Sequence, residues 1–309
     1  MHEGIDFIGD VHGHAAPLER LLRKLGYDDS DGVYRHPSRS VMFVGDLIDG
    51  GPDNTRVIEL ARTMVSQGEA RAVMGNHEYN AIAYHTPDPE RPGAFLRPHT
   101  AKNLGQHRTT LEEFTDHPAA LTAMIDWFQT LPLFLEVDGV RVVHACWDPA
   151  SIETLKSQLG PGNTLTNDLL IRSARRGSDE HAAVEHVLKG AEMTLPDGAG
   201  FADKYGHIRH EARIRWWMQE ADSLHDMVIG PPDLYDAVAG HPAVKDALMG
   251  YGSNEAPVFF GHYWLRGMPQ QQQNNVACLD YSIARDGKLV AYRWDGERRL
   301  KDDHFVWVA

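Results

Sequence analysis

The chain has 309 residues, 42% of them hydrophobic, enough to build one large α/β domain, alone or with an insertion. Its 44 acidic residues against 30 Lys plus Arg give a formal charge of -14, which argues against a nucleic-acid or anionic-membrane partner unless bound cations create a local positive site. No apolar run approaches the roughly 20 residues that span a bilayer, no basic-then-apolar leader precedes the first strand, and Cys146 and Cys278 lie in apolar runs that read as buried thiols, so a cytoplasmic protein is expected.

The first eighty residues repeat one arrangement. Residues 5–8 read as a strand, 17–25 as a helix with Leu18, Leu21, Leu22 and Leu25 on one face, and 41–44 as the next strand. A helix over 55–66 carries Val57, Leu60, Ala61 and Met64 before a short strand at 70–74. This alternation predicts parallel strands covered by helices. Four prolines across 87–98 mark a surface loop, 110–131 reads as helical up to Pro132, and 133–137 with 140–146 form a hairpin around Asp138-Gly139. Helical pieces are predicted at 179–189, 209–220 and 241–249, broken by Gly160-Pro161 and Gly230-Pro231. Residues 147–257 therefore read as a largely helical insertion over the active face, within a single domain spanning 1–309. Strands resume at 258–261, 276–281 and 289–294, with a terminal one at 304–308.

Each of the three early strand ends is followed by Gly and a polar residue. In Gly9-Asp10-Val11-His12-Gly13, the two-residue spacing of an extended segment lets Asp10 and His12 grasp one ion, although an Asp-x-His pair by itself is equally a structural feature. Gly45-Asp46-Leu47-Ile48-Asp49-Gly50-Gly51 offers a carboxylate able to bridge two cations and a second acid able to orient a histidine; it also reads as an acidic helix-capping turn. Gly75-Asn76-His77-Glu78 adds a neutral amide oxygen and a proton-transfer group. Catalytic groups collect beyond the carboxyl ends of parallel strands, so the three ends can form one site. His144 and His262 each follow an apolar strand; singly either fits a core histidine, and together they supply nitrogen ligands for a second metal.

With these motifs in order, the sequence resembles the calcineurin-like metallophosphoesterases, especially their serine/threonine phosphatase and diadenosine-tetraphosphatase-like branches. The resemblance implies a four-layer α/β/β/α fold with a β-sandwich core. It implies two divalent ions, manganese with iron or zinc as alternatives: Asp10, His12 and Asp46 at the first, and Asp46, Asn76, His144 and His262 at the second. His77 would protonate the leaving group, with Asp49 fixing its ring. Two features depart from the phosphatase pattern. Gly50 stands where those enzymes carry a phosphate-clamping arginine, so Arg209, Arg213 or Arg215 is expected to replace it. Trp264 stands where broader phosphoesterases have a second histidine, which favours the phosphatase-like ligand set; Asp280 is expected to support the His262 region.

The expected reaction is hydrolysis of a phosphomonoester by direct attack of metal-bound hydroxide. Hydrolysis of a dinucleotide polyphosphate or another nucleotide anhydride is the alternative, and a catalytically weak metal-containing scaffold is a third reading. The partner is accordingly a phosphorylated small molecule, a nucleotide or a phosphoprotein, with oligomeric state open.

Overall fold

A computed structural model describes residues 3–29, 31–202 and 207–309. The chain divides into two compact units, one of residues 1–188 with 256–309 and one of residues 189–255.

The first unit holds two mixed sheets. In one, Ala70–Ala72, Arg39–Phe43 and Gly4–Ile8 run parallel in that order, and Lys288–Trp294 closes antiparallel on Gly4–Ile8, flanked by Asp280–Tyr281 and Phe305–Val308. In the other, Val276–Cys278, Val258–Phe260 and Val140–Val143 are parallel, and Phe134–Val137 forms the expected hairpin with Val140–Val143. That hairpin turns through Asp138 and Gly139, both at positive φ (53° and 83°), the backbone that a two-residue hairpin loop demands.

The sheets meet face to face through Ile5, Phe7, Met42, Val142, Phe259 and Tyr292, all buried in one cluster. Phe7 stacks on Phe259 with ring centroids 3.8 Å apart, one residue from each sheet. All five residues of Gly4–Ile8 are buried, because one face meets the opposite sheet and the other meets helices. The helix Ala15–Lys24 packs on Lys288–Trp294 and Phe305–Val308, and Asn54–Ser66 packs on Ala70–Ala72. The fold is thus the expected β-sandwich flanked by helices. Residues 276–281, read as one strand, are two: the chain leaves one sheet at Cys278 and joins the other at Asp280, with the Leu279 N–H donating to Phe260 O at 2.7 Å between them. The helix expected at 110–131 is likewise two, Ala101–Glu113 and Pro118–Phe128, since Pro118 has no N–H to continue a helix but suits the first turn of a new one.

The 147–257 region is predominantly helical only in its first part, the described residues of the second holding just the short helices Leu224–Met227 and Pro232–Ala237. Pro149–Lys156, Asn167–Ser173 and Asp179–Lys189 are helices, but residues 189–255 are built around the three-stranded sheet formed by Glu192–Thr194, Glu211–Ile214 and Val228–Ile229. The predicted helix at 209–220 is therefore incorrect. Ala212 and Ile214 are buried while Glu211 and Arg213 are not, a period of two rather than 3.6, and the paired strand ladder outweighs the apparent helical spacing. The helix expected at 241–249 is also absent, apart from a 3-10 turn at Lys245–Ala247. Trp216 and Trp217 are buried in this unit, and Trp147 is buried in the first. Both cysteines are buried and form no disulfide, and among the described residues no helix is long and apolar enough to cross a membrane.

Candidate metal centre

The strand ends of both sheets converge. Asp10 and His12 follow Gly4–Ile8, Asp46 and Asp49 follow Arg39–Phe43, and Asn76 and His77 open the helix Asn76–His85 just after Ala70–Ala72. From the second sheet, His144 follows Val140–Val143 and His262 follows Val258–Phe260. All are buried except His77, whose side chain is 20% exposed.

Asp46 is the hub. Its Oδ2 lies 3.3 Å from His144 Nε2, 3.7 Å from His12 Nε2 and 4.0 Å from His77 Nε2, while its Oδ1 accepts the His77 N–H at 2.9 Å. Two donor groups of metal-holding dimensions share it: His12, Asp46 and His77, and Asp46, His144 and His262. Asn76 Oδ1 is 3.1 Å from His144 Nε2, which places it in the second group. Asp10 sits behind the first, its Oδ2 3.9 Å from His12 Nε2 and accepting the His262 N–H at 3.0 Å.

The histidines are oriented for this role. His12 Nδ1 lies 3.1 Å from Ile48 O and His144 Nδ1 lies 2.8 Å from Val44 O. A carbonyl oxygen only accepts, so in each ring Nδ1 carries the proton and Nε2 presents its lone pair to the centre. The electrostatics also favour cations. Asp10, Asp46, Glu78 and Asp280 are all buried around the site. Burial, reinforced by Asp280 and Asp46, raises Asp10 well above the usual carboxylate range, whereas on Asp46 burial is outweighed by His144 and His77, which hold it well below. Asp10 Oδ1 is buried without a hydrogen-bond partner. Clustered acids, an orphaned carboxylate oxygen and aligned imidazole lone pairs fit a pair of divalent ions.

His77 is held differently. Its Nδ1–H donates to Asp49 Oδ2 at 2.7 Å, and burial, which disfavours its charge, is overcome by Asp46 and Asp49, which raise it to about 9. Asp49 is itself held below the usual carboxylate range, because burial, which would raise it, is outweighed by the His107 and His77 rings; His107 Nδ1 (2.9 Å) and Thr110 Oγ1 (2.6 Å) both donate to its Oδ1.

Close backbone approach explains the glycines. Gly45 has φ +100°, and a Cβ there would lie 2.6 Å from Gly75 N, so two strand ends meet only because neither carries a side chain. His12, Asp46, Asp49 and His262 also adopt positive φ (47°, 51°, 70° and 72°), a conformation costly for non-glycine residues and here concentrated at the site.

Three contributors escaped the sequence reading. Glu78 accepts the N–H groups of Asp46 and Gly75 on Oε2 (both 2.9 Å) and of Leu47 on Oε1 (2.8 Å), welding the second and third motifs together. His107 and Thr110 come from the helix Ala101–Glu113; their i, i+3 spacing around a polar face was the one available signal. Asp280 accepts the Trp264 N–H at 2.7 Å and the Ser282 N–H at 2.9 Å, so it braces the chain just beyond His262. Arg209 and Arg213 pair with Glu192, at 3.7 and 3.9 Å, and Arg215 donates to Asp226 O at 2.8 Å, all within residues 189–255. None of the three belongs to the helix they were assigned to.

Comparison with known proteins agrees with this geometry. A bis(5'-nucleosyl)-tetraphosphatase (symmetrical) from Shewanella oneidensis is 31% identical over 95% of this chain and 96% of its own length. The asymmetrical bis(5'-nucleosyl)-tetraphosphatase PrpE of Oceanobacillus iheyensis is 33% identical, but the match spans only 46% of this chain and 54% of that protein. Among solved structures, a serine/threonine phosphatase from Saccharomyces cerevisiae superposes with a TM-score of 0.50 at 14% identity, covering 99% of this chain and 78% of that one. A cold-active protein tyrosine phosphatase gives 0.52 at 16% identity, covering 97% and 79%. At such identities these two likenesses speak for the fold alone. The calcineurin-like phosphoesterase family matches residues 4–187, more than half the chain and three of its motifs, and the protein belongs to that family of hydrolases.

Proposed function

We propose that this phosphoesterase cleaves the phosphoanhydride of a dinucleoside polyphosphate. The observation that carries the reading is the nearly end-to-end similarity to proteins named as symmetrical bis(5'-nucleosyl)-tetraphosphatases, from Shewanella oneidensis and, at 30% identity over 93% of this chain, from Ralstonia nicotianae. Trp264 adds support: it is 40% exposed two residues beyond His262, and Arg285 lies over its ring at 3.9 Å, so an aromatic surface able to meet a nucleobase stands beside the donors. Phosphomonoester hydrolysis is the second reading, favoured by the motif pattern.

In this proposal Asp10, His12 and Asp46 hold one ion and Asp46, Asn76, His144 and His262 the other, with manganese preferred and iron or zinc accommodated by the same donors. Bound there, the ions supply Lewis-acid charge and lower the proton affinity of water. The protein's own groups do the rest. Glu78 holds the Asp46 and Gly75 backbones so that the shared carboxylate does not move. His77 keeps its Nδ1 proton on Asp49, which leaves Nε2, on the Asp46 side, to deliver a proton to the departing oxygen. Asp49 stays anionic through His107 and Thr110 and so fixes the ring. The test is a manganese-supplemented panel of dinucleoside tetraphosphates, mononucleotides, phosphopeptides and an aryl phosphate. The reading expects kcat/KM on the dinucleotide to exceed the others by at least about tenfold, and a phosphopeptide or simple monoester at the head of the panel would refute it.

A further inference from the structure

Trp264 is the exposed tryptophan of this chain, the others being buried or half-buried. Arg285 is exposed as well, and its guanidinium carbon lies 3.9 Å from the centre of the Trp264 ring. Arg23 over Tyr34, Lys24 over Trp307 and Arg141 over Trp147 stand farther off, at 5.7, 5.8 and 5.1 Å, and packing covers their rings wholly or in part. The closest of these contacts is thus made by a ring and a cation that both stay open to solvent, where such a pair adds little to folding.

Two strained turns that meet at one carboxylate build the pair. His262 and Trp264 on one turn, and Ser282 and Asp286 on the other, all adopt positive φ (72°, 51°, 63° and 57°). Asp280 joins the turns, its Oδ2 accepting the Trp264 N–H at 2.7 Å and its Oδ1 the Ser282 N–H at 2.9 Å. Ser282 Oγ also donates to Leu265 O at 3.2 Å, and the Leu265 N–H donates to Asp280 O at 2.9 Å. These bonds use only backbone and the side chains of Asp280 and Ser282, so they set where the indole and the guanidinium start without engaging either. Non-glycine residues take such φ at a cost, and that cost concentrates where a ligand is gripped.

Both turns border the metal centre. Trp264 stands two residues beyond His262. The other turn abuts the first two motifs, since a Cβ placed on Gly50 would lie 3.5 Å from Ala284 Cβ and 3.7 Å from His12 Cβ, and Arg285 directly follows Ala284. The pair is therefore tethered to the rim of the centre through His262 on one side and next to His12 on the other. A flat π surface with a planar cation beside it suits a nucleobase, which stacks by its face, whereas a phosphate chain offers an indole nothing. We propose that Trp264 and Arg285 together form the nucleobase subsite, which takes the base by its face and so accepts purine and pyrimidine nucleosides alike. The inference rests on the dinucleoside polyphosphate reading and deepens it: the pair selects a nucleoside-bearing substrate over an inorganic polyphosphate.

The test is calorimetric titration of the full chain, at fixed free manganese, with two non-hydrolysable probes: adenosine 5'-(α,β-methylene)diphosphate and methylenediphosphonate, which lacks the nucleoside. Damage to the metal centre weakens both probes together, so the ratio of their affinities reads the base alone. Trp264→Leu should cut the preference for the nucleotide by about tenfold or more, and Arg285→Gln by about threefold or more. Both side chains are exposed, so neither change opens the core. The cytidine analogue should bind within about tenfold of the adenosine one. The nucleotide should also quench tryptophan emission in wild type and not in Trp264→Leu. A ratio unaltered by either substitution overturns the proposal, and a larger gap between cytidine and adenosine overturns its tolerance of bases. A chain that ignores dinucleoside tetraphosphates yet shows the pair-dependent ratio loses the functional reading and keeps the subsite. One that hydrolyses them with a ratio indifferent to the pair does the reverse.

Discussion

Glu78 Oε2 sits 2.9 Å from the backbone nitrogen of Asp46, so the acid at the start of one helix fixes the central carboxylate of the site from 32 residues away. The same side chain takes up the N–H groups of Gly75 and Leu47. Removing it would strand three amides around a fully buried position. Glu78→Ala should lower unfolding free energy by about 3 kcal/mol, the scale of losing charge-assisted bonds to buried donors. Glu78→Gln, with one acceptor oxygen instead of two, should lose less. Urea denaturation of both variants checks this, and an Ala variant as stable as wild type would show that the weld is unimportant.

His77→Ala should reduce turnover by about 10²- to 10⁴-fold on substrates with poor leaving groups, and much less on an aryl phosphate whose leaving oxygen needs no proton. Binding of manganese, measured by equilibrium dialysis, should survive the change. An equal loss on both substrate types would place His77 in metal binding instead.

Divalent metal should stabilise the folded chain, because the donors are assembled only there. At a manganese concentration about 100 times the dissociation constant the gain is about 2.7 kcal/mol. Asp46→Asn should remove most of this increment, since Asp46 belongs to both donor groups. Thermal melts with and without chelator read the difference, and a chelator-insensitive wild type would contradict the assignment.

Gly261→Ala tests close approach. A Cβ at Gly261 would overlap the Asp10 carboxylate, which also receives the His262 N–H. The variant should fold but bind metal at least about tenfold more weakly. Wild-type affinity would mean that Asp10 moves aside at no cost.

His85 gives a pH dependence remote from the metal donors. Its Nε2 is buried without a hydrogen-bond partner and its ring centroid lies 5.6 Å from that of His107. Burial, with His107 and His99 close by, pulls its pKa from 6.5 down to about 4. The unfolded chain therefore takes up this proton near pH 6.5 and the folded chain only near pH 4. The contribution is fully present above pH 6.5 and is lost as pH falls towards 4. His85→Phe should flatten the fall in melting temperature across that window in metal-free protein, and an unaltered slope would assign it to other groups.

Much of the centre was legible because its donors follow strands. Asp10, Asp46 and Asn76 each come after a Gly at the end of an apolar run, and parallel strands must bring such ends to one edge. The hairpin around Asp138-Gly139 was legible for a similarly local reason. Residues 209–214 were misread because a short alternating strand beside Trp216 and Trp217 also satisfies a helical spacing, and only pairing with Glu192–Thr194 and Val228–Ile229 decides between the two.

What the amino-acid order determined by itself is the kind and sequence of the candidate metal donors, and with them the family motifs, since each motif is a local pattern. Tertiary structure alone decided how they are held and what surrounds them. Asp49 meets His107 and Thr110 across 58 and 61 residues. Such contacts have no period and no fixed spacing: they arise when elements that are packed for their apolar faces leave polar side chains within reach of one another.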